Sequence, residues 1–308
     1  KIDKKDQKDV ITGYKLTDFK FNKEKLIGLK FRNNDGQDLI VKAKYFMFCM
    51  GGIENAKFTK KLFISKKKAP PQNTNLCNFQ EHPHLYYVAG FNKGEKLLPK
   101  IIRGRYNVSR LIHKSFKDGQ LNISFKAWDG IGSPKATLMI QENKNKFNNR
   151  IKNIIKTFLN KITIPNYDYL IVMRCEQSPN KKSNLKFEDN KTSLNWDIKS
   201  KDFSFYSDYL RRLASFLIIN KYAKDFTLKV NSTNGEAIPS SIQGGAHHMG
   251  TVPYTINNVL INEKFRLTEN DNTYVVGSSA FPTSGFENPT HAAIATALIA
   301  ADDIILRR

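Results

Sequence analysis

The last third of the sequence constrains the fold most, because it places an apolar run, a glycine, a polar loop and a marked helix start in immediate succession. Tyr274-Val-Val-Gly-Ser-Ser-Ala-Phe-Pro-Thr-Ser-Gly-Phe-Glu-Asn-Pro-Thr290 leads into His291-Ala-Ala-Ile-Ala-Thr-Ala-Leu-Ile-Ala-Ala-Asp-Asp-Ile-Ile305. Asn is a favoured N-cap and Pro a favoured first helical residue, so the helix is expected to begin at Asn288 and Pro289. Its start offers unpaired N–H groups and a partial positive charge, suited to a phosphate, a carboxylate or an electron-rich ring edge. Alanines at 292, 293, 295, 297, 300 and 301 would let the helix lie close against a sheet. By spacing alone, the same pattern also describes an ordinary capped helix covering a sheet.

A second anchor lies upstream, at Gln243-Gly-Gly-Ala-His-His-Met-Gly-Thr251, where His247 and His248 stand between glycines in a chain with only 6 histidines. If the segment is extended, neighbouring side chains point to opposite faces and only one imidazole can enter a given pocket. Two partly exposed loop histidines are the plainer reading of the same residues.

Taken together, Gly-Gly-Ala-His-His-Met-Gly-Thr and Val-Val-Gly-Ser-Ser-Ala-Phe-Pro-Thr-Ser-Gly, followed by Asn-Pro-Thr, resemble the C-terminal signature of the glucose-methanol-choline oxidoreductases, FAD-dependent alcohol oxidases and dehydrogenases. Upstream segments extend the resemblance. Tyr45-Phe-Met-Phe-Cys-Met-Gly-Gly-Ile-Glu-Asn-Ala-Lys57 is similar to the family's second flavin-domain strand and the Ile-Glu-Asn-Ala-Arg that follows, with Lys57 in place of Arg. Gln80-Glu-His-Pro-His-Leu85 resembles the Met-Glu-His-Pro segment at the border with the substrate domain. Glu176-Gln-Ser-Pro-Asn180, Ser183-Asn-Leu-Lys-Phe187 and Ser193-Leu-Asn-Trp-Asp197 resemble a substrate-domain segment in bacterial members, with Asn184 where Arg is usual.

The resemblance implies site residues one by one. His247 falls on the catalytic base and Asn288 on its partner at the substrate oxygen, with His248 as the fallback base. Gly51, Gly52, Gly277, Ser278, Pro289 and Thr290 fall where the family's backbone approaches FAD, Gly277 and Ser278 through their N–H groups. Pro289 has no N–H to offer. Two features cut across this assignment: an Asn288 side chain that caps the helix is not free to hold a substrate, and Pro253-Tyr254 replaces the usual Arg-Met beyond the histidines. His82 and His84, two apart and on one face if extended, are read as structural. No metal site is suggested, since further ligands are lacking nearby.

The rest of the chain reads as alternating short elements. Lys25-Leu-Ile-Gly-Leu-Lys-Phe31 and Asp38-Leu-Ile-Val-Lys-Ala-Lys44 flank a turn at Asn33-Asn-Asp-Gly36, a hairpin signal. A buried strand is expected at 45–50 and a helix at 53–64. Further strands are expected at 121–125 and 169–174. Helices are expected at roughly 140–162 and at 206–219, the latter with Tyr209, Leu210, Leu213, Phe216 and Leu217 in one core-facing stripe.

The fold class that follows is α/β (α+β): the later part of a discontinuous, Rossmann-like FAD-binding domain, interrupted by a substrate domain made of a mainly antiparallel sheet with helices. The expected limits are 1–80 and 243–308 for the flavin-binding part and 81–242 for the substrate-binding part. The Gly-x-Gly-x-x-Gly loop that holds the FAD pyrophosphate in such proteins is not present in this sequence. A fragment, one chain of a split enzyme and a degenerate relative are the three accounts of that, with the missing N-terminal half of the flavin domain as the implied partner and a small alcohol or sugar as substrate.

Charge frames the rival class. Lys plus Arg number 50 against 28 Asp plus Glu, for a formal net charge of +22. Such a balance favours polyanions, and a flavin-free basic protein binding nucleic acid is the alternative. The lysines are scattered among Asn and Ile, and no Arg-rich helix, zinc-finger spacing or aromatic RNA-binding signature accompanies them, so specific nucleic-acid binding is not expected. Cys49, Cys77 and Cys175 stand apart from one another, which fits a reducing, cytoplasmic compartment better than a disulfide framework. No apolar run is long enough for a transmembrane segment.

Overall fold

The computed structural model describes residues 10–23, 25–66, 78–97, 111–112, 121–127, 167–188, 191–228, 230–233, 236–239, 242–254, 260–268, 270–285 and 287–307. Cys77 and the helix expected at 140–162 lie outside them. In chain order come β1 (Tyr14–Asn22), β2 (Lys25–Asn33), β3 (Asp38–Lys42), β4 (Phe46–Phe48) and helix α1 (Gly51–Ser65). β5 (Pro83–Phe91), β6 (Leu111–Ile112), β7 (Leu121–Ala127), β8 (Tyr169–Cys175), β9 (Asn184–Glu188) and β10 (Lys191–Asn195) follow, then α2 (Ser200–Ile219). β11 (Thr227–Leu228), β12 (Val230–Thr233), β13 (Glu236–Pro239), β14 (Ile242–Gly244) and β15 (Thr273–Val275) lead through a 3-10 turn (Ser278–Ala280) to α3 (Thr290–Leu306).

These elements form a mixed α/β structure in two units. The first comprises Lys1–His82, Gln177–Lys199 and Ala246–Arg308; the second comprises Pro83–Glu176 and Ser200–Gly245.

In the first unit β1, β2 and β3 make an antiparallel sheet. The expected hairpin joins β2 to β3: Gly36 takes φ +82, and Asn33 Oδ1 accepts the Gln37 N–H at 2.8 Å, an Asx-type closure. β4 and β15 pair in parallel, Phe46 opposite Thr273 and Phe48 opposite Val275. β4 stops short of the expected residue 50, because the Met50 N–H turns to the Asn55 side chain and Gly51, at φ +76, bends the chain into α1. α1 buries Asn55, Phe58, Thr59, Leu62 and Phe63, a spacing of three and four that turns one face to the core. There Phe58 stacks on Phe48 at 3.5 Å and meets Phe19 edge-on at 5.1 Å. Each such ring contributes roughly 1.5–3 kcal/mol by leaving water.

The second unit is an antiparallel sheet in the order β11-β5-β8-β7-β6, with β14 pairing the start of β5. α2 covers it: Tyr206, Tyr209, Leu210, Leu213 and Leu217 pack with Leu85, Ala89, Ile171 and Met173. Phe216 departs from the expected stripe. It lies at the margin of the buried arc, 54% exposed, and stacks on Tyr222 instead.

α3 differs from expectation at its start. It begins at Thr290, with Pro289 as the residue before it and no side chain capping it, so Asn288 is not a cap. The first helical bond runs from the Ala293 N–H to the Pro289 carbonyl at 2.8 Å, which leaves Asn288 outside the helix and exposed. The inner face of α3 meets the β4–β15 pair as expected: Ala300 is buried in the core that holds Phe46, Phe48, Tyr274 and Val275, Ala297 and Ile304 pack against that core, and the Tyr274 hydroxyl donates to Asp303 at 2.7 Å. Among the described residues α3 buries Thr296 and Ala300, while Ile294, Leu298 and Ile305 stay more than half exposed. No helix among the described residues is long and apolar enough to cross a membrane.

Candidate active site

The histidine loop is held from three directions, all within the first unit. Met249 exchanges both backbone hydrogen bonds with Gln80, at 2.9 and 3.0 Å. Gly250 N–H donates to the Ser278 carbonyl, and Ser278 Oγ donates to the His248 carbonyl at 2.8 Å. Thr251 Oγ1 donates to the Gly52 carbonyl. Gly52 faces the loop so closely that a Cβ there would lie 2.3 Å from the His248 oxygen. Its lack of a side chain is therefore explained by the protein's own backbone.

The Gln80 bridge brings the next residue, Glu81, beneath both histidines. Glu81 is 3% exposed. Its Oε2 accepts the His247 N–H at 3.0 Å, and its Oε1 lies 2.6 Å from His248 Nδ1. The two imidazoles take different neighbours, as an extended pair should: His248 leans on Phe79, ring centres 5.5 Å apart, and His247 meets His82 edge-on at 5.2 Å. Ala246, at φ +57, makes the left-handed turn that leads into them.

These placements set the charges. The His248–Glu81 hydrogen bond raises His248 above its ordinary value against the opposing effect of burial. Burial by itself would raise Glu81, but the His248 ring and the His247 amide outweigh it and hold the carboxyl below its ordinary range. His82 is lowered, first by burial and then by His247 beside it, against the hydrogen bonds it makes with backbone at Gly285 and Glu287. Its Nδ1 lies 2.9 Å from the Gly285 oxygen, an acceptor only, so that nitrogen carries the proton.

The loop that carries Asn288 is stitched to the same segment. Ser284 N–H donates to Gln80 Oε1 at 2.9 Å, and the Gln177 N–H donates to Ser284 Oγ at 3.1 Å. Gln177 Oε1 in turn accepts from the Glu81 N–H and from Trp196 Nε1. The histidines, Glu81, His82 and the approach to Asn288 are thus one hydrogen-bonded assembly.

Of the glycines singled out in the sequence, Gly51 (φ +76) and Gly277 (φ +91) have open space where a Cβ would stand. The Gly277 N–H, expected to serve a ligand, donates instead to Thr296 Oγ1 at 2.8 Å, because the side chain of α3 reaches it first. Pro289 and Thr290 sit at the uncapped start of α3.

Sequence reasoning missed Glu81 and gave His82 a purely structural place. His82 precedes β5 and lies against His247, whereas His84 belongs to the strand, so the two do not share a strand face. The signal for Glu81 was its position beside His82-Pro83, but burial of a carboxylate beneath residues 166 positions away has no local signature.

Residues 182–297 match the family model described as GMC oxidoreductase. No curated protein matches the sequence. Among solved structures, pyridoxine 4-oxidase from Mesorbium loti is similar in fold, with a TM-score of 0.57 and 15% identity, over 95% of this chain and 57% of that one. Formate oxidase is similar with a TM-score of 0.56 and 14% identity, over 96% of this chain and 60% of that one. An FAD-dependent oxidoreductase from Chaetomium thermophilum gives a TM-score of 0.55 at 12% identity, over 96% of this chain and 61% of that one. The chain therefore spans about three fifths of the length of these proteins. The histidine loop, β15, the turn after it and the start of α3 all lie inside the range that matches the GMC oxidoreductase model.

Proposed function

We propose that the chain is the later portion of an FAD-dependent oxidoreductase that oxidises a CH–OH group of an alcohol or sugar, with His247 as base and Asn288 as its partner. The observation that carries this is the fixed histidine loop, lying within the GMC match and clamped to Glu81, Gly52 and Ser278. In this reading the first unit is the flavin-binding part and the second the substrate domain, and a further flavin-binding portion supplies the pyrophosphate loop. The span of three fifths of the structural neighbours supports that last element.

The residues present suit a flavin. Gly51 and Gly277 leave room beside the backbone, and among the described residues the start of α3 carries no side-chain cap hydrogen bond. Gly51, Ser278, Pro289 and Thr290 would line it, Gly277 by giving space rather than an N–H, and Gly52 by holding the histidine loop. FAD, when bound, supplies the two-electron acceptor for the hydride of the carbinol carbon. The chain's own part is proton transfer and orientation. His247 Nδ1 is buried, so Nε2 is the nitrogen that takes the hydroxyl proton as the carbonyl forms. Asn288, exposed and free of any capping role, offers an amide to the same oxygen. His82, held neutral by burial, lets the adjacent His247 accept that proton without a second fixed positive charge beside it.

The test is flavin retention. The chain is mixed with FAD, with and without a separately supplied GMC flavin-binding portion, freed of excess and read by visible absorbance. Retention with that portion, bleaching by alcohols or sugars, and a loss of about 10²–10⁴-fold in His247→Ala are expected. No retention in either mixture would refute the reading.

A further inference from the structure

Glu81 and His248 do something the proton transfer itself does not require. A carboxylate that is 3% exposed is costly unless both oxygens are compensated, and here one faces the His247 amide and the other the His248 ring. We infer that Glu81 and His248 form a carboxylate–imidazolium pair whose task is to position His247, which makes His248 a positioning residue and not the base. What His247 does follows the oxidoreductase reading; the pair itself follows from geometry.

The arrangement ties every part of the His247-His248 unit to something rigid. The amide of His247 is fixed by Glu81, and the carbonyl of His248 is fixed by Ser278 Oγ and by the close approach of Gly52. Glu81 is in turn fixed through its own amide, which donates to the buried Gln177 at 3.2 Å, and through Gln80, bridged to Met249. The ring of His248 adds the charge that lets the carboxylate stay ionised where it is. With Nδ1 protonated toward Glu81, that imidazole is committed, and a base must be the neighbour. The titratable groups that face this pair are His247 on the histidine loop and, beyond it, His82 on the Gln80–His82 segment.

The signs of the two shifts agree with the pair. His248 is raised, so its stabilising contribution is complete below its ordinary value of 6.5 and is lost as pH rises through the higher folded value. Glu81 is lowered, so its contribution is present above its ordinary 4.5 and is lost as pH falls through the lower folded value. Between those two folded values the pair is intact.

The experiment has one arm that needs no flavin. The chain is labelled with 15N-histidine and its ring resonances are titrated by NMR, His248 being assigned from the resonance lost in His248→Gln. His248 should stay protonated above 6.5 in the native chain and return to the ordinary imidazole range in Glu81→Gln, which still accepts the His247 N–H but carries no charge. Identical titration of His248 in both chains would overturn the proposal. The second arm uses the flavin-loaded complex. Glu81→Gln and His248→Gln should each lower kcat about 10–100-fold with KM nearly unchanged, while His247→Gln loses more. Equal losses in the His247 and His248 variants would make His248 the base and overturn the proposal, as would turnover at the native rate in both Glu81→Gln and His248→Gln. If the native complex itself does not turn over, the oxidoreductase reading fails while the NMR arm still decides the pair.

Discussion

Asn55 commits its whole amide to backbone and hydroxyl groups that meet nowhere else. Its Nδ2 donates to the Val276 carbonyl at 3.0 Å and to Ser279 Oγ at 2.8 Å, and its Oδ1 accepts the Met50 N–H at 3.1 Å. It is fully buried. One side chain thereby joins the ends of the two parallel strands to the start of α1, the corner on which Gly51, Gly277 and Ser278 depend. Asn55→Ala should cost about 2–4 kcal/mol, from stranded buried partners and a small cavity, read as a lower urea midpoint. Asn55→Asp should cost more, since it keeps the acceptor for Met50 but sets a buried negative charge against the Val276 carbonyl. An Asp variant more stable than the Ala variant would show that the donor bonds are not what holds the corner. The residue was visible in the sequence as part of Ile-Glu-Asn-Ala, yet its work was not, because two of its three partners, Val276 and Ser279, lie 221 and 224 positions away.

Among the elements, the ones with strong local patterns were legible and the ones defined by distant contacts were not. The Asn33–Gly36 hairpin, α1 and α2 follow from turn chemistry and from apolar spacing of three and four. The start of α3 does not: Asn288 and Pro289 read as cap and first turn, but the loop before them is pulled by Ser284 to Gln80 and by Gly285 to His82. The bridge between Gln80 and Met249 is invisible for the same reason, since neither residue carries a local signal. Two glycines at element junctions separate packing from backbone strain. In Gly52→Ala the new Cβ would meet the His248 carbonyl at 2.3 Å, so α1 and the histidine loop must part, at about 1–3 kcal/mol. In Gly277→Ala no atom stands within 4 Å, and the cost is about 1–2 kcal/mol for a non-glycine residue at φ +91. Both should unfold earlier in urea, but only Gly52→Ala should move the His248 ring resonance. A shift of that resonance in Gly277→Ala instead would mean that the Gly277 turn, and not the Gly52 contact, sets the loop.

At the scale of the whole molecule, the chain passes between its two units four times, and residues 177–199 cluster with the first unit although the sequence before and after them belongs to the second. Composition does not show this. What draws the segment is a set of bonds to residues far off in sequence, Gln177 to Glu81 and Ser284 and the Phe79 N–H to the Ser183 carbonyl, while Ser183 and Asn180 bonded to Asp197 brace the segment within itself. Charge, by contrast, is a whole-chain property that the sequence states outright. A net charge of +22 on 308 residues is an excess of 22 cations over the 28 carboxylates, so the folded chain repels itself. Against that stand exposed pairs such as Lys30–Asp38, Lys221–Glu95 and Arg307–Asp271, each worth at most about 1 kcal/mol. Salt weakens both effects, but repulsion acts over the whole surface and the pairs act locally. Raising the ionic strength from about 0.01 to 0.15 M shortens the screening length from about 30 to about 8 Å, which removes much of the long-range repulsion while leaving contacts at 2.6–2.9 Å less affected. The thermal midpoint should therefore rise, by about 2–4 °C if the net relief is about 1 kcal/mol. A midpoint that falls with salt would show that the local pairs outweigh the net charge.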